Sequence, residues 1–189
     1  PMMRQYLSLK EKNKDCILFF RLGDFYEMFL DDAKVAAKEL DLTLTTRDKN
    51  KAKEEQVPMC GVPYHSAEAY IGRLVSRGYK VAICEQTEDP AAAKGIVKRE
   101  VIRVVTPGTI MDAAALDDSK NNYLASVFVE EYGAGIAFVD ITTGEISVNE
   151  FEGDDIVIQL LNEISRFSPA EIIFNLEAYE KKSLIDPIG

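Results

Sequence analysis

A chain of 189 residues, 47% of them hydrophobic, has enough material for one large core or two small ones, with the composition of a soluble globular protein. No apolar run approaches the ~20 residues that span a bilayer, and the opening Pro1-Met2-Met3-Arg4 carries no charged-then-apolar leader, reading as a start just inside the natural one. The net charge of −10 argues against lying along phosphates, but the average hides a division: residues 1–110 hold 18 basic and 16 acidic side chains, a net +2, and residues 111–189 hold 4 and 16, a net −12. Such a step marks a domain boundary, with any nucleic acid meeting the first part and protein the second.

In chain order, Pro1 to Lys12 reads as a helix with Met3, Tyr6, Leu7 and Lys10 at helical spacing, its proline tolerated in the first turn. Cys16 to Arg21 reads as a buried strand. Asp24 to Leu40 then has the marks of an amphipathic helix: Asp24 is a good N-cap, Glu27 completes a capping box, and Phe25, Phe29, Ala33, Ala36, Ala37 and Leu40 recur on one face. Periodicity alone makes Phe25 a core residue, although its place at a strand-to-helix corner also allows it to stand out of the domain. Leu42 to Thr46 alternates as a half-exposed strand. Arg47 to Gln56 is a charge-rich, solvated loop in which Arg47 is the best candidate to lie along a nucleic-acid backbone.

Pro58 to Tyr64, with two prolines and a glycine, reads as a shaped turn. Ser66 caps a helix that Gly78 ends. Tyr79 to Cys84 and Arg99 to Thr106 are strands, separated by a turn with a short helical stretch from Asp89 to Gly95, and Pro107-Gly108 breaks regular structure. Arg103 lies in the second of these strands without an assigned role. From Asn122 three β-rich runs (Tyr123 to Val129, Gly135 to Ile141, Glu145 to Phe151) form a meander, followed by a helix from Asp154 to Phe167 and a strand from Glu171 to Asn175. The expected class is α/β: a mixed α+β sheet with flanking helices over 1–110, a linker over 111–121, and a partial ribonuclease-H-like α/β domain over 122–189, cut at its C-terminal end.

Cys16, Cys60 and Cys84 are odd in number and far apart, which points to reduced thiols in the cytoplasm. Cys60 and His65 are the one pairing that hints at metal, and two ligands do not make a site. Asp140, Glu145 and Asp154 are candidate metal carboxylates of a nuclease, but they do not obviously converge as two-metal chemistry requires. A protein-interaction module built on 111–189 is a second alternative.

Four ordered blocks carry a resemblance: Gly23-Asp24-Phe25-Tyr26-Glu27, Pro58-Met59-Cys60-Gly61-Val62-Pro63-Tyr64-His65, Val81-Ala82-Ile83-Cys84-Glu85-Gln86 and Val105-Thr106-Pro107-Gly108-Thr109. Together they are similar to the mismatch-recognition domain of the MutS family of DNA mismatch-repair proteins, and the remainder resembles the start of the family's connector domain. The resemblance implies binding to mispaired or unpaired bases in duplex DNA, without catalysis by this stretch. It implies Phe25 as a wedge beside the mispaired base, Glu27 as its hydrogen-bonding partner, and Arg47 and His65 as DNA-backbone contacts. It also implies mismatch-repair proteins as partners through the connector, and a homo-oligomeric parent in the cytoplasm. The ATP and magnesium of the full-length family member belong to a later domain, and this chain has no Gly-x-x-x-x-Gly-Lys-Ser/Thr loop.

Overall fold

The computed structural model describes residues 2–47, 56–88, 95–112, 115–117 and 119–188. The chain divides into two compact units, Pro1–Thr106 and Pro107–Gly189. The expected turn over 89–95 and the charged loop after Arg47 fall largely outside the described residues.

In the first unit, helix α1 (Met2–Lys12) leads into strand β1 (Cys16–Leu22), buried without interruption from Cys16 to Phe20. Gly23 then takes a φ of 57° and, with Asp24, reverses the chain in two residues, as a hairpin with glycine at its first central position requires. Strand β2 (Phe25–Phe29) returns antiparallel to β1, Phe25 opposite Leu22 and Glu27 opposite Phe20.

This hairpin replaces the helix expected from Asp24, and the capping box with it. Asp24 sits in the turn, Glu27 in mid-strand, and helix α2 (Leu30–Leu40) starts only after Phe29. A spacing of four is ambiguous, because Phe25 and Phe29 share a face at a period of 2 as well as at 3.6. The aromatic content of Phe-Tyr-Glu-Met-Phe favours the strand. Asp31 and Asp32 occupy the true first helical turn, where their charge complements the helix dipole. Buried Asp32 also ties three elements together: its Oδ2 accepts from the Tyr6 hydroxyl (3.1 Å) and the Leu18 N–H (3.0 Å), and its Oδ1 lies 2.9 Å from Lys10 Nζ.

Of the strand expected over 42–46, only β3 (Thr45–Thr46) pairs. The expected turn at Pro58 is instead strand β4 (Pro58–Pro63), with prolines at its first and last positions, where a missing N–H is least disruptive. A 3₁₀ turn (Tyr64–Ser66) precedes helix α3 (Ala67–Val75). Ser66 holds the N-cap position, but its hydroxyl donates back to the Pro63 carbonyl (3.2 Å) and caps nothing. Gly78, at a φ of 86°, lets the chain leave this helix. Strand β5 (Lys80–Gln86) runs parallel to β1, and β6 (Arg99–Val105) antiparallel to β5. The sheet order is β3-β4-β2-β1-β5-β6, a mixed sheet of the expected class.

The two faces of this sheet are covered unequally. Helices α2 and α3 pack on the face that carries Tyr26, Met28, Cys60 and Val62. On the other face, Tyr6 of α1 closes a core of Leu18, Phe20, Phe29, Ala82 and Cys84, with its ring edge-on to Phe29 at 5.0 Å. Phe25 and Glu27 share this second face but lie beyond that core, toward the hairpin tip. The two phenylalanines of β2 are therefore unlike: Phe29 is 0% exposed and Phe25 47%. Phe29→Ala is expected to cost about 3–5 kcal/mol in urea unfolding, whereas Phe25→Ala is expected to stay within about 0.5 kcal/mol of the parent, as exposed substitutions do. Equal losses at the two positions would contradict this placement.

In the second unit, strands β7 (Tyr123–Val129), β8 (Gly133–Asp140) and β9 (Glu145–Glu152) form the expected meander, and β10 (Glu171–Phe174) adds in parallel to β7, giving the order β10-β7-β8-β9. Helix α4 (Ile156–Phe167) lays Leu160 and Ile164 on Val127, Ile136 and Phe138, and Phe167 stacks on Phe138 at 4.0 Å. Two short helices that the sequence reading missed, α5 (Leu176–Glu180) and α6 (Lys182–Ile185), bury Ala178 and Leu184 in the same core.

Candidate nucleic-acid interface

Of the candidate DNA-contacting residues, Phe25 and Glu27 lie on β2, Arg47 follows β3, and His65 lies in the 3₁₀ turn after β4. Phe25 is the first residue of β2, where the two-residue turn ends, and it is paired on either side with Leu22 and Pro63. Neither partner covers it, and the residue is 47% exposed. A strand paired on both sides thus presents an aromatic side chain outward, contrary to the core role that helical periodicity implies.

Two residues along, Glu27 points to the same face. Its neighbours are Phe20 on β1 and Gly61 on β4. Gly61 matters because it is bare: a Cβ there would stand 3.2 Å from the Tyr26 carbonyl oxygen, tighter than an ordinary contact, and 3.5 Å from the Glu27 Cγ methylene. The Glu27 side chain is 21% exposed, and Arg47 NH1 lies 3.7 Å from its Oε2. That distance makes an ion pair but no hydrogen bond, and Oε2 is the buried side-chain oxygen without a hydrogen-bond partner among the described residues. An acceptor with unmet capacity is therefore held in an apolar setting, where such a group costs about 1–3 kcal/mol.

The electrostatics follow. Burial pushes the Glu27 carboxyl above its ordinary range, and the Arg47 charge pulls partly the other way. Because the folded-state value is raised, this group favours the fold at low pH and loses that contribution as pH rises through its titration. Arg47→Gln is expected to raise the Glu27 pKa further, read by ¹³C-carboxyl NMR titration. An unchanged titration would show that the ion pair carries no weight.

Arg47 follows β3 with its side chain 51% exposed, free to reach outward. His65 lies in the 3₁₀ turn two residues past Pro63, exposed, with its ring edge-on to Tyr64 at 5.9 Å. The structure thus brings Phe25, Glu27 and Arg47 together, with His65 beyond the strand position that pairs with Phe25. Arg103 is exposed on β6, opposite Ile83.

Among the described residues the candidate metal ligands do not come together as a group of three. Cys60 is buried under α2, donating its thiol to the Ala33 carbonyl (3.4 Å), and is held up at about 11 by burial. Asp140 is consumed by the turn that follows it, accepting from the Thr142 hydroxyl (2.6 Å) and the N–H groups of Thr142 (2.9 Å) and Asn122 (3.0 Å). The Thr142 hydroxyl foremost keeps its carboxyl below the usual range. Glu145 accepts from Asn121 (2.7 Å) and Tyr123 (3.0 Å), and Asp154 stands exposed in a turn. Among the described residues no three His, Cys, Asp or Glu side chains come together. Cys16, Cys60 and Cys84 are buried free thiols, and no helix among the described residues is long and apolar enough to cross a membrane.

Comparison with known families matches residues 1–114 to MutS domain I and residues 122–188 to MutS domain II. Among curated relatives, the DNA mismatch repair protein MutS of Acetivibrio thermocellus is 57% identical over 184 residues, covering 97% of this chain and 21% of the relative. That of Ruminiclostridium cellulolyticum is 57% identical over 188 residues, covering 100% and 21%, and that of Alkaliphilus oremlandii 55% over 181 residues, covering 96% and 20%. The chain spans about a fifth of the length of these relatives and matches the family models of two domains. With both domain models matched in order and more than half of all positions identical to these proteins, the chain belongs to the MutS family of DNA mismatch-repair proteins.

Proposed function

We propose that the first unit recognises mispaired or unpaired bases in duplex DNA, with Phe25 as the wedge that enters the base stack and Glu27 as the group that hydrogen-bonds the displaced base. The observation that carries this reading is the contrast within β2: Phe29 is sealed in the core, and Phe25, on the same face of the same strand, is exposed at the hairpin tip. Opening a step costs a few kcal/mol and kinks the duplex toward the major groove. A mispair is already poorly stacked, so the cost is lowest at the defect. Stacking an aromatic ring on a base returns roughly 1–3 kcal/mol whatever the base, so one ring surveys every mismatch without reading sequence.

Glu27 supplies the complementary penalty. An ionised carboxylate near phosphates disfavours intact duplex, and a hydrogen bond to a displaced base offsets that loss only at a defect. A base nitrogen that accepts requires the protonated carboxyl, the form that burial of Glu27 favours. Arg47 and His65 are assigned to backbone phosphates, with the ordinary consequence that affinity falls as salt rises. Residues 1–110 are the recognition module in this reading, joined by 111–121 to a connector module over 122–189. The acidic second unit, with Ile146 and Val148 each 68% exposed on β9, is assigned to contacts with other repair proteins of the cytoplasm. The family's ATP and magnesium chemistry is assigned outside these residues, and the parent is read as a homo-oligomer.

Fluorescence anisotropy with labelled matched and mismatched duplexes at low salt tests the reading. Tighter binding to the mismatched duplex, weakening with added salt, is expected. Equal affinity for both in full-length protein carrying this chain would contradict it.

A further inference from the structure

The two-residue turn that presents Phe25 is clamped twice, by Arg21 of β1 and by the Tyr64 backbone that follows β4. Peptide carbonyls at a hairpin tip ordinarily face water. Here the Gly23 carbonyl accepts from Arg21 Nε at 2.6 Å, and the Asp24 carbonyl accepts from the Tyr64 backbone N–H at 2.9 Å. The two clamps are joined, because the Arg21 guanidinium carbon lies over the Tyr64 ring, 3.8 Å from its centre. Arg21 NH1 also reaches Glu85 Oε1 on β5 (3.5 Å), and the Tyr26 hydroxyl donates to the same oxygen. The Arg21 carbonyl in turn accepts from Arg99 Nε (2.7 Å), which ties this end of β1 to β6. Strand alternation puts the Arg21 side chain on the face opposite Phe25, so its action on the ring runs through the backbone.

From these contacts we infer that Arg21, stacked on Tyr64, is a positioning residue that pre-orders the Gly23-Asp24 turn so that the Phe25 ring meets a duplex already aimed. This rests on the wedge reading above and extends it to residues that the motif does not mark by role. The physical reason is that a ring on a loose tip must be ordered at the moment of insertion, and that cost is subtracted from affinity. Matched duplex does not admit the ring, so a looser tip weakens binding to mismatched DNA alone. A fork-shaped, planar cation is suited to this task, since it stacks on the ring and donates to the turn at once, whereas a lysine ammonium offers a point charge.

The test uses Arg21→Ala, Arg21→Lys and Tyr64→Phe. In the isolated chain, amide hydrogen exchange followed by NMR is expected to speed at Tyr64 N–H by at least tenfold in Arg21→Ala and Arg21→Lys, with core amides of α2 and α3 unchanged. Tyr64→Phe keeps the ring and is expected to behave as the parent. In full-length protein carrying this chain, the two Arg21 variants are expected to lose about fivefold or more in affinity for mismatched duplex and to keep their affinity for matched duplex. Unchanged exchange at Tyr64, or a parallel loss for both duplexes, overturns the inference. Phe25→Ala run alongside separates the two readings: if it abolishes mismatch preference while Arg21→Ala does not, the positioning role alone fails, and if it leaves the preference intact, the wedge fails and the inference with it.

Discussion

Replacing Phe25 by alanine in full-length protein carrying this chain is expected to erase the preference for mismatched over matched duplex while leaving the fold intact. Phe25 is already 47% exposed, so little burial is lost on truncation. What disappears is the stacking contribution of roughly 1–3 kcal/mol, a loss of about 5- to 150-fold in affinity for the defect. Binding to matched duplex, which never admits the ring, should change by less than about twofold, since phosphate contacts dominate it. Titrating both duplexes against parent and variant measures this, and a preserved preference would remove the wedge.

Glu27→Ala is expected to move affinity for matched duplex the other way. The parent carboxylate is only partly compensated, by an Arg47 guanidinium 3.7 Å from an oxygen without a hydrogen bond. Bringing that charge toward phosphates costs energy on the scale of about 1–4 kcal/mol for close unit charges at intermediate dielectric. Its removal should therefore tighten matched-duplex binding by about fivefold or more and flatten discrimination from the opposite side. Glu27→Gln separates charge from shape: it too should tighten matched binding, yet keep a donor for the displaced base and retain part of the preference. Unchanged or weaker affinity of Glu27→Ala for matched duplex would show that the carboxylate imposes no penalty.

The two phenylalanines of β2 show where sequence reading succeeds and where it stops. Four ordered motifs suffice to identify the family, and the meander in the second half is legible because three alternating apolar runs are punctuated by glycine turns. The start of α2 is not legible, because residues four apart satisfy both strand and helix periods. Asp24 and Glu27 then imitate a capping box that the positive φ of Gly23 forecloses. Pro58 to Pro63 looks like a turn by composition, and only the pairing of its ends with Thr46 and Phe25 shows a strand whose prolines sit where pairing stops. Glu27, Gly61 and Arg47 come together through strand register between distant segments. No local pattern encodes that adjacency, nor the buried setting that raises the Glu27 carboxyl.

The central claim, that the Phe25 ring enters the stack at a defect, is open to direct observation with 2-aminopurine placed beside a mismatch. This base fluoresces when unstacked. Saturating full-length protein carrying this chain should brighten it, Phe25→Ala at saturation should leave it dark, and the same base in matched duplex should stay dark with both. Equal brightening by parent and Phe25→Ala, or none by the parent at saturation, would contradict insertion of the ring.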